Sequence, residues 1–547
     1  MTDSDRIPAM SSTSNRGFCS LSLPTLRATV TLGIMLLIAT AALAAGTDVV
    51  TYHNDIARTG QNLQETTLTT SNVNSKSFGK LFTMSVDGTV DAEPLYLSQV
   101  SIGGNAHNVL YVVTENDSVY AFDADTGSKL WQVSLLASGE SPSGDHGCGQ
   151  ISPQIGITST PVIDRKSGTN GTIYVVAMSE TQSSTYIQRI HALDITSGQE
   201  EFGGPTVIKA RFPGNGDNSH NGYVVFDPSQ YAERSGLLLL NGVIYTAWTS
   251  HCDARPYTGW IIGYDESTLE RTSVLDVTPN GHEGAIWQAG AGMSSDGKNI
   301  YFLDANGSFD TTLNKKGFPI NGDYGNAFVK LSTINNKLAV ADYFNMFNTV
   351  DESNQDEDLG SGGTIVLPPM KDTKGKTRHL AIGAGKDSNI YIVNRNNMGK
   401  FNPNNDKAIY QELDGVLGGG EWATSAYFDG SVYFGPEGNE LMQFTFARAK
   451  LSKSAKSKSS ASFTYPGTTP SISANGSMDG IVWAVEHADS SVLHAYNAKN
   501  LAHELYNSNR SRDQIGSASH FGTPMIVNGK VYVGTTGSVV AFGLLGQ

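Results

Sequence analysis

Three short stretches of this sequence gather side chains able to do chemistry. His282-Glu283-Gly284-Ala285-Ile286-Trp287-Gln288 joins an acid, an indole and an amide. Gly418-Gly419-Gly420-Glu421-Trp422 repeats the pairing of acid and indole, and Asp358-Leu359-Gly360-Ser361-Gly362-Gly363 sets a carboxylate beside an open glycine run. An indole face stacks on a flat ligand, and a carboxylate holds a cation or takes a proton. The candidates are therefore Glu283, Asp358 and Glu421 as catalytic carboxylates, and Trp287, Gln288 and Trp422 as ligand-binding groups. No residue is assigned to a metal. The alternative is structural, with both tryptophans plugging a channel and the carboxylates accepting backbone hydrogen bonds. Either way, a fold must bring stretches distant in sequence to one place.

Other motifs carry less chemistry. Glu352-Ser353-Asn354-Gln355-Asp356-Glu357-Asp358 has the composition of a calcium loop but not the EF-hand spacing, and reads as a solvated acidic loop. Lys450 through Ser462, rich in Lys, Ser and Ala, reads as a mobile insertion and not a nucleic-acid patch. The triple glycine at 418–420 is followed by no lysine or helical pattern, so it is no phosphate loop; G-x-S-x-G and H-E-x-x-H are absent.

Composition sets the class. Glycine supplies 59 of 547 residues, about 11 % against a usual 7 % or so, while charged residues are only 16 %. This is a glycine-punctuated globular chain with ample length for a large core. The formal charge of −15, from 37 Lys+Arg against 52 Asp+Glu, argues against a nucleic-acid partner, which calls for a basic face.

The N-terminus speaks to compartment. Arg6, Arg16 and Arg27 precede an uncharged stretch with the apolar centre Leu32-Gly33-Ile34-Met35-Leu36-Leu37-Ile38, followed by the small-x-small pattern Ala42-Leu43-Ala44. Such a segment predicts a cleaved signal peptide over residues 1–44 and a periplasmic or secreted protein over 45–547; the alternative is an uncleaved anchor. No later segment is apolar enough to span a membrane. Beyond Cys19 in the leader, the chain holds Cys148 and Cys252, and an oxidising compartment favours a disulfide between them over free thiols or a Cys/His metal site.

The elements that must position the candidate residues are repeats. Val119-Tyr120-Ala121-Phe122-Asp123-Ala124-Asp125-Thr126-Gly127-Ser128-Lys129-Leu130-Trp131 returns as Ile190-His191-Ala192-Leu193-Asp194-Ile195-Thr196-Ser197-Gly198, and again as Ile262-Gly263-Tyr264-Asp265-Glu266-Ser267-Thr268-Leu269. Asp123, Asp194 and Asp265 fall 71 residues apart. Weaker copies bring the number to eight, the last at Val540-Ala541-Phe542-Gly543. Each reads as strand, tight turn, strand, with the aspartate bonding the turn and glycine supplying a positive φ. A second hairpin precedes most copies, as in Thr523-Pro524-Met525-Ile526 with Val531-Tyr532-Val533-Gly534. Two hairpins per repeat predict an all-β, eight-bladed β-propeller with four-stranded blades in a single domain, its last strands near Val531–Phe542 sharing a blade with the beginning of the chain.

The A-x-D-x-x-T-G-x-x-x-W pattern at Ala121–Trp131 is similar to the tryptophan-docking repeat of pyrroloquinoline-quinone (PQQ) type propellers. The opening Tyr52-His53-Asn54-Asp55-Ile56-Ala57-Arg58-Thr59-Gly60 resembles the lead-in of their bacterial members. The resemblance implies a quinoprotein dehydrogenase-like fold, PQQ with calcium as cofactors, and an oxidoreductase for alcohols or sugars at the axial funnel. The same repeat also occurs in outer-membrane assembly scaffolds, which makes an envelope-protein partner the alternative, and a cofactor-free carbohydrate-active propeller is a third reading. Quinoprotein alcohol dehydrogenases carry a vicinal cysteine pair against the cofactor, and this sequence has no Cys-Cys. A monomer is expected.

Overall fold

The computed structural model describes residues 47–546; the expected signal peptide, residues 1–44, lies outside them. Eight sheets each contain a four-stranded antiparallel run in chain order, and these are the blades. Their innermost strands are Leu95–Ile102, Val162–Asp164, Leu238–Leu240, Ser294–Ser295, Thr364–Val366, Ala426–Phe428, Ser471–Asn475 and Met525–Val527, numbered here as blades 1 to 8. Blade 8 takes its outermost strand, Phe78–Ser85, from the start of the chain and pairs it with the C-terminal Ser538–Leu544. That pairing leaves no open sheet edge at the seam.

The core is distributed between the blades. Apolar layers join blade 2 to 3, 3 to 4, 4 to 5, 5 to 6, 6 to 7 and 7 to 8. A further layer, with Val112, Val175 and Tyr532 among its members, joins blades 8, 1 and 2 and closes the ring.

The repeat works as its residue types dictate. Asp123 Oδ1 accepts from the amides of Asp125 and Thr126 and from the Thr126 hydroxyl, while Gly127 sits at φ +75°. Asp194 and Asp265 hold their turns in the same way. The Trp131 indole donates to the Ile195 carbonyl in the next blade at 3.1 Å, and a Cβ on Gly198 would stand 2.9 Å from that ring. The docking tryptophan therefore ties blade 1 to blade 2.

The lead-in segment makes a layer of its own inside the ring. Val49 pairs with Tyr96 of blade 1, and the Val50 carbonyl accepts from Ile163 of blade 2. The carbonyls of Ile56, Ala57, Thr59 and Gly60 accept from Ser295, Val366, Tyr427 and Ile472 of blades 4, 5, 6 and 7. Arg58 reaches the Leu237 carbonyl of blade 3, and Asn62 the Ile526 carbonyl of blade 8. One pass of chain thus satisfies an inward-facing backbone group of every blade, groups that would otherwise be buried without partners.

Two expectations change. Thr349–Gln355 is an α-helix, so the acidic run at 352–358 is partly helical; Glu352 and Asp358 within it are buried, because the run packs between blades 4 and 5. Lys450 through Ser462 is ordered as strands: Ser457–Phe463 forms the outer strand of blade 6 against Asn439–Ala447. Alternating small and charged residues suit an edge strand as well as they suit a linker. Among the described residues no helix is long and apolar enough to cross a membrane.

Candidate functional site

Where the chain enters the innermost strands, loops from several blades enclose a small cavity of about 50 Å3 beside the axis. Its walls include Trp287 from the entry to blade 4, Asp358 and Ser361 from the entry to blade 5, Trp422 from the entry to blade 6, and Lys386 from the loop after Leu380–Ala384. Three of the six residues chosen from sequence, Trp287, Asp358 and Trp422, therefore share one space.

Asp358 is 2 % exposed, and its Oδ1 lies 2.8 Å from Lys386 Nζ. Burial raises the Asp358 pKa, and Lys386 opposes that shift. Burial alone would lower the Lys386 pKa, but Asp358 and Asp356 more than offset it and hold the ammonium above its ordinary range. Asp356, at the left-handed end of the short helix (φ 60°), also accepts from Asn306 Nδ2 at 2.6 Å. Asp253 completes this side, accepting from the Tyr257 hydroxyl at 2.6 Å and from Ser250 Oγ at 3.0 Å. A buried ammonium is thus ringed by carboxylates, the arrangement that makes a charge tolerable in a poorly solvated place.

The other three candidates lie elsewhere. Gln288 is fully buried, with its amide donating to Ser235 Oγ at 3.2 Å beneath the cavity; the backbone at Gln288 and Ala289 is left-handed (φ 48° and 51°) and turns the side chain inward. Glu421 is buried behind Trp422. Its Oε1 accepts only a long bond, 3.4 Å, from the Gly435 amide, its Oε2 has no partner, and burial raises its pKa well above the ordinary value. Glu283 faces His282, 3.2 Å from Nδ1, and is not in the cavity wall.

Sequence reasoning missed the aromatic rim. Trp287 meets Phe521 edge-on with centroids 5.3 Å apart, Phe521 meets Tyr465 at 6.3 Å, and Tyr465 meets Trp422 at 5.5 Å. Four blades thereby contribute to one edge-to-face belt across the mouth, a preferred geometry for aromatic quadrupoles. Below it the Arg234 guanidinium lies 5.6 Å from the Phe521 ring and donates to the Thr158 carbonyl at 2.7 Å. Lys386 was also missed, although a cation directly after a buried strand and a glycine was a usable signal.

The predicted disulfide forms. Cys148 and Cys252 are bonded with a Cα separation of 5.4 Å, and Cys252 lines the cavity. Beside it the rings of His146 and His251 stack with centroids 4.0 Å apart. Burial and the neighbouring His146 push the His251 pKa down to about 3, so its imidazole is neutral. Among the described residues no set of three or more His, Cys, Asp or Glu side chains converges as a metal site. Between Asp358 and Asp356 the ammonium of Lys386 already stands where a cation would bind.

Residues 57–201 match the family model described as outer membrane protein assembly factor BamB. No curated protein matches the chain. Solved structures with the same fold include quinohemoprotein alcohol dehydrogenase ADHIIG from Pseudomonas putida HK5, 13 % identical at a TM-score of 0.62, over 92 % of this chain and 81 % of that one. The quinohemoprotein alcohol dehydrogenase from Comamonas testosteroni is 16 % identical at 0.57, over 92 % and 81 %. A europium-containing methanol dehydrogenase is 13 % identical at 0.57, over 91 % and 98 %. At such identities the likeness is one of fold. With its docking repeats and its closed ring of four-stranded sheets, the chain has the β-propeller fold of the PQQ-type proteins, and residues 57–201 carry the family match.

Proposed function

We propose that the protein is an exported quinoprotein-type oxidoreductase that binds PQQ in the axial cavity and acts on an alcohol or a sugar. The observation that carries this reading is the meeting of Trp287, Trp422, Asp358 and Lys386 from three blades in one cavity. The wall residues offer a flat quinone two indoles as apolar surface, with the charge of Lys386 balanced by Asp358 and Asp356. They do not supply calcium ligands, because the carboxylates at this point are held by Lys386. When bound, PQQ supplies a two-electron acceptor. Asp358 is the group to receive the substrate hydroxyl proton, on the oxygen not paired with Lys386; burial raises its pKa, which strengthens it as a base. Lys386 orients that carboxylate and balances its charge, and the aromatic belt limits water at the mouth.

Titration of the mature protein with PQQ, with and without added calcium, tests this through indole fluorescence. Dye reduction in the presence of alcohols and sugars reads turnover. Saturable quenching is expected, at least tenfold weaker in Trp287→Ala or Trp422→Ala, with Asp358→Asn binding normally but turning over poorly. Absence of binding at high micromolar PQQ overturns it. The match of residues 57–201 to an assembly-factor model favours the second reading, an envelope-protein scaffold, which that outcome would leave standing.

A further inference from the structure

A second recess lies at the opposite end of the blades from the axial cavity. The cavity is built where chain enters first strands and leaves second strands, whereas this recess uses first-to-second and third-to-fourth connections of blades 5 and 6. It is a groove of about 430 Å3 lined by Lys374, Arg378, Arg448 and Lys450, with Asp372 as the acid in its wall. Four cations against one carboxylate are unusual on a chain of net charge −15.

Asp372 neutralises only one of them, Arg378. Its Oδ1 accepts the amides of Lys374 and Lys376 at 2.8 and 2.9 Å, and its Oδ2 accepts Arg378 Nε at 2.8 Å. Lys374 and Arg448 extend without a side-chain partner among the described residues. Lys450 Nζ and Arg378 Cζ share one aromatic ring, 3.9 and 5.6 Å from the Tyr410 centroid. Burial and, after it, the Arg378 charge lower the Lys450 pKa, and the Lys450 ammonium donates to the Tyr410 carbonyl. Residues 441–478 contain no acid, and Lys453 and Lys456 lie in the same segment, while Lys458 pairs with Glu440. Asn394 and Asn397 add neutral amides to the wall.

We propose that this groove binds a phosphate-bearing anion. A phosphate group brings nearly two negative charges and three acceptor oxygens, matching several converging donors, whereas a single carboxylate would leave most of the positive charge unbalanced. The guanidinium groups of Arg378 and Arg448 suit the tetrahedral oxygens, and the lysines add point charge. The phosphate comes either from a free phosphate compound or from a lipid headgroup.

Calorimetry with pyrophosphate and with inorganic phosphate at low salt tests the free source, and flotation with vesicles of phosphatidylglycerol or phosphatidylcholine tests the headgroup. The variant is Lys374→Ala with Arg448→Ala, two side chains that hold no part of the fold, checked by circular dichroism. Pyrophosphate binding that weakens at least tenfold in this variant and falls with added salt supports the proposal with a free ligand. Binding only to phosphatidylglycerol vesicles, lost in the same variant, supports it with the headgroup as source. Trp422→Ala should change neither result, which separates this groove from the axial cavity. No binding to either probe, or equal binding by the double variant, overturns it.

Discussion

Lys386 Nζ stands 2.8 Å from Asp358 Oδ1 in the wall of the axial cavity, with the carboxylate 2 % exposed and the lysine 18 %. The ammonium is shared with Asp356, whereas the Asp358 carboxylate has Lys386 as its ion-pair partner. Lys386→Met should therefore lower stability by about 3 kcal/mol, because it leaves a buried carboxylate unpaired. Adding Asp358→Asn to that variant should restore part of the loss. Urea melts of the three proteins check this, and a single variant as stable as the parent would show that water reaches the pair.

The disulfide closes a segment of sequence separation 104 beside the cavity. Restricting so long a loop in the unfolded chain is worth about 5 kcal/mol in the entropic account. Cys148→Ser with Cys252→Ser should lower the melting temperature accordingly. Non-reducing mass spectrometry of the parent should read about two mass units below the reduced chain.

Glu421 gives a pH signature of definite sign. Its folded pKa is raised by burial, so its contribution to stability is complete below the ordinary glutamate value and declines as pH rises toward the folded value. Glu421→Gln keeps the shape and removes the ionisation. The stability of Glu421→Gln relative to the parent should rise as pH increases above the ordinary glutamate value, and a difference independent of pH would refute the raised pKa.

His251 should act at the other end of the scale. Its pKa is lowered to about 3, so the stability it contributes is present above its unfolded value of 6.5 and is lost as pH falls from there toward 3. Replacing it with phenylalanine, which keeps the stack on His146, should flatten the acid limb of the stability curve relative to the parent.

The inner layer makes a prediction about glycine. Gly60 has φ +68°, and a Cβ there would fall 2.2 Å from His53 Nε2; Gly103 has φ +60° but open space around it. Gly103→Ala should cost about 1 kcal/mol for its left-handed backbone alone. Gly60→Ala should cost about 3 kcal/mol, since the fully buried histidine must also shift. Equal losses would mean that the lead-in segment yields easily.

Much of this protein was written in local pattern. The Asp-Thr-Gly turn at Asp123 and the docking of Trp131 depend on neighbours within one hairpin or on the adjacent repeat, so residue type and spacing determine them, and counting copies gives the ring. The choice of Trp287, Asp358 and Trp422 followed because entries to inner strands must converge at the axis. Tertiary structure alone decided the rest. Glu421 and Trp422 are adjacent in sequence, yet one is buried and the other faces the cavity, because successive residues of extended chain point to opposite sides. Lys386 joined Asp358, and Tyr465 and Phe521 joined the tryptophans, across blades whose relative positions no local pattern records. The resemblance carried by Tyr52–Gly60 could mark a lead-in; only the closed ring shows that its carbonyls serve one blade after another, since a backbone partner has no side-chain signature in sequence.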